Sequence, residues 1–205
     1  MTYTLPDLSY DYSALAPTLS ARAMELHHSV HHAKYVENAN RLIDQVMSEP
    51  NPEPGLSRSL QFNLGGHVLH SLYWQCLSPS GGRRPEGRLA EAIDQCFGGF
   101  ERFHERFTTA MTSVEGSGWA ALAWEPASRQ LLVVQLHDHH LDIAPGLELL
   151  LVADAWEHAH YLDYGADRAA WARAFFDVVD WSTAAATLEL CRSVVSRRLT
   201  SETIG

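Results

Sequence analysis

Twelve histidines in 205 residues, against four methionines, are the compositional oddity of this sequence. Imidazole is the usual proton carrier near neutral pH and the commonest side-chain ligand of transition metals, so their placement decides what chemistry is open. Asp154 and His158 stand four residues apart in DAWEH, His27 and His31 four apart in ELHHSVHH, and His67 and His70 three apart in GGHVLH. Such spacings bring two side chains to one side of a helix. His27, His70 and His158 with Asp154 form three neutral imidazoles and a carboxylate, a mixed nitrogen and oxygen set that suits iron, manganese or zinc and leaves room for solvent. Taken singly, His27 or His70 reads as a structural hydrogen-bonding group. Taken with DAWEH, they read as ligands.

To act together these residues need elements that converge. Apolar positions recur at helical spacing from Ser20 to Met47, with Met24, His27, His31, Tyr35, Leu42, Ile43 and Val46 on one side, which predicts one long amphipathic helix. The stretch SEPNPEPG at 48–55 breaks it, and a second helix follows from Leu56 to Cys76. The pair predicts an antiparallel hairpin that sets His27 and His70 on facing surfaces. SPSGGRRPEG at 78–87 reads as a linker, dividing the chain into an N-terminal helical hairpin domain, 1–83, and a C-terminal α/β domain, 84–205. In the second domain, helices are expected over 88–97 and 100–112, parted by Gly98 and Gly99. Short apolar runs at 119–124, 130–136 and 147–154 predict a three-stranded antiparallel sheet. Helical periodicity resumes near Ala155, over 169–179 and over 183–198, so the fold class is α+β.

Composition narrows the function further. With 46% hydrophobic residues the chain buries a sizeable core, and no run of about 18 apolar residues predicts a membrane span. The N-terminal segment is polar and acidic, which gives a cytoplasmic expectation. Three scattered cysteines, Cys76, Cys96 and Cys191, suggest neither a disulfide framework nor a thiolate zinc site. A formal charge of -10 without a Lys/Arg run speaks against nucleic acid and anionic membranes as partners.

The motifs ELHHSVHHAKYV, FNLGGHVLHSLYW, GSGWAALAW and DAWEHAHYLDYG, in this order, resemble the iron/manganese superoxide dismutase family over nearly the whole chain. LLVVQLHDHH looks like its actinobacterial branch, where a histidine replaces the glutamine beside the metal-bound solvent. The resemblance implies one Fe or Mn ion per subunit on His27, His70, Asp154 and His158, and dismutation of superoxide to oxygen and hydrogen peroxide. It implies that Tyr35 is the gateway tyrosine of the substrate funnel and that His139 donates to the metal-bound solvent. Gly66 matches the small residue that leaves space for the group arriving from the second domain, and Trp74, Trp119 and Trp156 match aromatic walls of the pocket. Glu157 and Tyr161 match residues that reach the partner subunit, Tyr161 to its His31, which implies a homodimer or homotetramer. His137 and His140 read as solvated loop residues, and His28, His32, His67 and His104 as structural or exposed.

The chain also departs from the family pattern. Val30 stands where most relatives carry a lysine, and Gly165-Ala166 replaces a lysine-asparagine pair, so that Arg168 is the basic residue left in that region. His160 replaces an aromatic, and Asp180 an asparagine. Weaker electrostatic steering of superoxide is expected. The alternative is that the same metal site serves another, uncharged organic redox substrate, with the dismutase reading favoured.

Overall fold

The computed structural model describes residues 2–51 and 53–202. The first helical run starts where the Ser20 side chain accepts from Ala23 N at 3.2 Å and so satisfies an otherwise orphaned donor. It is not the single α-helix that periodicity predicts. Helix α1 (Ala21–Glu25) passes into a π-helical stretch, Leu26–His32, and then into α2 (Ala33–Ser48). Within that stretch His27, His28 and His32 are buried while Ser29 and Val30 face solvent. Such widened turns are rare and often mark functional sites. Helix α3 (Pro54–Gln75) begins with proline in its first turn, where the missing N–H would have had no helical partner. It starts two residues earlier than expected and packs back on α2 to complete the hairpin.

The second half opens with α4 (Gly87–Phe97) and α5 (Phe100–Thr112), separated by Gly98, whose φ of 77° is the left-handed conformation that ends a helix. Strands β1 (Gly118–Glu125), β2 (Gln130–His137) and β3 (Glu148–Asp154) form an antiparallel sheet in the order β2-β1-β3. The central strand β1 is buried from Gly118 through Trp124 without alternation, since both of its faces are covered. Its register sets Trp119 opposite Leu136 on one side and Asp154 on the other. Helices α6 (Glu157–Tyr164), α7 (Arg168–Ala174) and α8 (Trp181–Glu202) follow.

The helix expected over 169–179 stops at Ala174, gives one 3-10 turn over Phe175–Asp177, and then changes role. Val179 bridges to Leu77, and Ser78 N donates to Val178 O at 2.8 Å, so the end of that segment ties the hairpin to the second half. Aromatic packing joins the halves as well. Tyr73 of α3 stacks on Phe175 at 6.4 Å and 10°, and Phe175 stacks on Phe107 of α5 at 6.0 Å and 5°. Pairs of this kind contribute about 0.5–1.5 kcal/mol each beyond the area they bury.

The halves approach closely at Gly65, where a Cβ would stand 2.1 Å from the His139 carbonyl oxygen. Backbone on both sides leaves nothing to yield. Gly65→Ala should therefore cost about 1–3 kcal/mol in denaturant unfolding. Gly55→Ala, at the open start of α3 with nothing within 4 Å, should gain up to about 1 kcal/mol. A Gly65→Ala protein as stable as the parent would contradict this packing.

Candidate metal centre

The site is built around one carboxylate. Asp154 ends β3 at 0% exposure, and its two oxygens are divided between scaffold and pocket. Oδ1 accepts from Trp156 N at 2.8 Å, and the Asp154 carbonyl accepts from Trp171 Nε1 at 2.8 Å. Oδ2 faces three imidazoles: His27 Nε2 at 3.1 Å, His158 Nε2 at 3.2 Å and His70 Nε2 at 3.7 Å. The π-helical stretch supplies His27, α3 supplies His70 and the first turn of α6 supplies His158. The four donor atoms lie within 4.8 Å of one another, as the spacing in DAWEH and the hairpin predict.

These side chains fit a metal ion and little else. His70 Nδ1–H donates to the Gly66 carbonyl at 2.6 Å, so Nε2 presents a bare lone pair toward an anionic carboxylate. Nε2 of His27 and of His70 are both buried without a hydrogen-bond partner. Two acceptors facing each other in a dry pocket require a proton or a cation between them. A proton is disfavoured, because burial drives the His70 pKa well down and lowers that of His27 to about 4. For Asp154, burial alone would raise the carboxyl, but His158 and His27 hold it below the usual carboxylate range. The three edges that meet at Asp154 Oδ2 have the right size. Donors about 2.1 Å from a common centre are about 3.0 Å apart at right angles and about 3.6 Å apart at 120°.

Around the four donors lies an aromatic wall. Trp74 meets His27 edge-on at 4.8 Å, Trp119 meets His70 at 5.0 Å, and Trp156 stacks on His139 at 4.5 Å and 12°. Trp119 Nε1 donates to His139 Nδ1 at 3.1 Å. An indole N–H only donates, so His139 Nδ1 is bare and its proton sits on Nε2, which is buried and unpartnered. Burial lowers the His139 pKa to about 3 and keeps that ring neutral. Tyr35 lies 4.6 Å from the His139 ring and 5.2 Å from the His70 ring. Its phenol is raised above the ordinary value by burial and then by Asp154, so it keeps its proton.

Several expected positions come out differently. The space for His139 is made by Gly65, whereas a Cβ on Gly66 would press on Tyr35 Cγ at 2.7 Å. One residue along a helix turns about 100°, so adjacent glycines open toward different neighbours. Arg168 is committed to backbone, donating to Val114 O at 2.6 Å and Gly116 O at 3.2 Å. His140 is not solvated: both ring nitrogens are buried and its ring meets Phe62 at 5.7 Å. His137 is not a loop residue either: it ends β2 opposite Gly118, with its ring paired to Asp142 at 2.7 Å. His160 is buried. Gly165, at φ 56°, ends α6 in a conformation that a lysine would adopt only under strain.

His31 stays outside the donor group, stacked on His158 at 4.5 Å and 16°. Glu157 and Tyr161 are exposed on the outer side of α6. Phe62, absent from the sequence reading, contacts Tyr35, His139 and Trp156. Its signal was present as the spacing 62, 66, 70 along one face of α3.

The comparisons with known proteins agree with this centre. Residues 2–78 match the family model of the iron/manganese superoxide dismutase alpha-hairpin domain, and residues 85–187 that of the C-terminal domain. The superoxide dismutase of Mycobacterium tuberculosis, named for iron, is 45% identical over 185 residues, covering 88% of this chain and 89% of the relative. That of Nocardia asteroides, named for manganese, shows the same identity and coverage. Its Mycolicibacterium smegmatis counterpart, also named for manganese, is 45% identical over 184 residues, covering 87% and 89%. With both halves matched in order and the four donors converged, the chain belongs to the iron/manganese superoxide dismutase family.

Proposed function

We propose that this protein dismutates superoxide: one superoxide gives up an electron and leaves as oxygen, and a second takes that electron with two protons and leaves as hydrogen peroxide. The observation that carries this reading is the buried Asp154 oxygen ringed by three imidazole nitrogens, in a chain that matches the family over both halves. Bound iron or manganese supplies the one-electron exchange between divalent and trivalent states, for which no side chain of the pocket is suited.

The surrounding residues divide the remaining work. His27, His70, Asp154 and His158 hold the ion. His139, fixed by Trp119 as an Nε2–H tautomer, is the hydrogen-bond donor facing the reacting oxygen species. Tyr35 retains its proton across the neutral range and relays protons at the pocket entrance. His31, half-buried and kept neutral by burial and His158, continues that relay toward solvent. Trp74, Trp119 and Trp156, with Phe62, exclude bulk water so that proton delivery stays with these groups. The chain divides at 83/84, each half supplying two of the four donors.

The protein acts as a homodimer or homotetramer in the cytoplasm. Supporting association, Val30, Tyr161 and Leu162 are exposed at 52%, 55% and 59%, beside His31 and on the helix that carries Glu157 and His158. Supporting a reducing compartment, Cys76, Cys96 and Cys191 are all unpaired thiols.

Four outcomes follow. His27→Ala and Asp154→Ala proteins should retain no Fe or Mn by elemental analysis and should lose superoxide consumption; full activity in either would refute the donor assignment. His139→Ala should keep its metal while activity falls about 10–100-fold, because it removes a donor that is not a ligand. With the chain at -10 and Arg168 tied to backbone, the rate should change little with ionic strength. Val30→Lys, at a 52% exposed position, should raise the low-salt rate and make it salt-sensitive.

A further inference from the structure

Behind the metal ligands runs a polar chain that none of the four donors belongs to. Trp74 Nε1–H donates to His32 Nδ1 at 3.0 Å, and His32 Nε2 lies 2.9 Å from His67 Nδ1, both contacts being buried. The indole fixes the direction. It only donates, so His32 Nδ1 is bare, the His32 proton lies on Nε2, and that N–H donates to a bare His67 Nδ1. Ser71 Oγ donates to the His67 carbonyl at 2.8 Å, and its approach to His67 Nδ1 at 3.4 Å is longer than that of His32 at 2.9 Å, so the His32 bond is the shorter claim on that nitrogen. The sequence marks His32 and His67 only as structural or exposed, yet they are 0% and 9% exposed.

The chain touches both ligand helices. Trp74 stands edge-on to His27 at 4.8 Å, and the His32 ring lies nearly parallel to that of His70 at 5.3 Å and 24°. The rings on which both hairpin ligands lean are thus held in orientation by one directed series of bonds that ends at His67. The N-terminal arm closes the far end: the Tyr3 ring meets His67 edge-on at 5.1 Å, and Tyr3 is clasped to α2 by Asn40, which accepts from Tyr3 N at 2.8 Å and donates to Tyr3 O at 2.9 Å. Two buried imidazoles cost more than apolar side chains of similar size unless their bonds are made. Here they are made with each other and with the indole.

We infer that His67 is a positioning residue, which acts through His32 and Trp74 to hold His27 and His70 in register for the metal. The inference rests on the four-donor site, and does not depend on the substrate. Groups that orient ligands from outside the coordination set are worth about 10–100-fold in metal affinity.

The test follows metal directly. Full-length protein loaded with manganese is mixed with excess chelator, and loss of Mn2+ is timed while its electron paramagnetic resonance spectrum is recorded. His67→Leu should lose the ion about 10–100-fold faster and show an altered spectrum. His67→Gln, whose side-chain oxygen still accepts from His32, should stay close to the parent in both. Parental loss rate and spectrum in His67→Leu would overturn the inference, as would His67→Gln behaving like His67→Leu, which would leave His67 a packing role only. If His67→Leu does not fold, Trp74→Phe decides, because it deletes the donor at the other end; faster loss supports the chain and a parental rate overturns it. Failure of the metal reading is separate: the parent and His27→Ala would then lose Mn2+ equally fast.

Discussion

Everything in this structure answers to one constraint, a carboxylate that is fully buried and stays ionised. An isolated anion at the position of Asp154 would be several kcal/mol uphill, and a protein normally relieves that cost by protonating it or pairing it. Here one oxygen is bonded to backbone and the other is left to three imidazoles, of which His70 presents a bare nitrogen and His27 one without a hydrogen-bond partner, an arrangement that calls for a cation in its middle. The sheet exists to hold that carboxylate still. Trp119 in β1 pairs across the ladder with Asp154, and the same residue donates to His139, so one buried strand fixes Asp154 and His139 together. Trp171 adds a bond from below to the Asp154 carbonyl.

The hairpin has the opposite task, because its ligands arrive on helices that could slide. Three devices remove that freedom. The π-helical stretch turns His27, His28 and His32 inward together, and His28 is then bonded to Pro6 O at 2.8 Å and to Tyr12 OH at 3.0 Å. Gly65 lets the His139 backbone come against α3 without a side chain between, and Gly66 does the same for the Tyr35 ring. Tyr73 reaches past the ligands into the Phe175–Phe107 stack. Ligand geometry is therefore set by packing that extends well beyond the pocket, which is how protein sites reach the precision that metal coordination needs.

How much of this was legible in the sequence depends on what each feature rests on. The donor set was readable because both of its signals are local, the four-residue step from Asp154 to His158 and the proline-broken pair of amphipathic helices. The strands were readable from short apolar runs bounded by turn residues. The π-helical stretch was not, since its apolar spacing differs too little from that of an α-helix to separate them over seven residues. The helix expected to continue to 179 failed for another reason: Val178 and Val179 fit a helical pattern but are claimed by Leu77 and Ser78, a tertiary demand that overrides local preference. That Gly65, beside Gly66, meets the His139 backbone, and that Arg168 is bound to the Val114 and Gly116 carbonyls, has the same origin. Sequence places a residue on an element, and only the packed neighbours decide what it meets.

The acidity of the chain is the remaining tension for an anionic substrate, and distance resolves it. Charges beyond about 8 Å are largely screened in physiological salt when they are exposed to solvent, so most of the -10 acts weakly at the site. Inside the pocket the balance has the other sign. Three neutral imidazoles and one carboxylate contribute a single negative charge, and a divalent or trivalent ion among them leaves that pocket positive. Its dry aromatic wall then strengthens the attraction at close range. What the chain lacks is the intermediate range, where Val30 and Gly165 carry no charge and Arg168 is bound to backbone carbonyls. On the proposed reading, capture is left to the last few ångströms, where the ion would sit among its ligands beside Tyr35 and His139 and surface charge matters least.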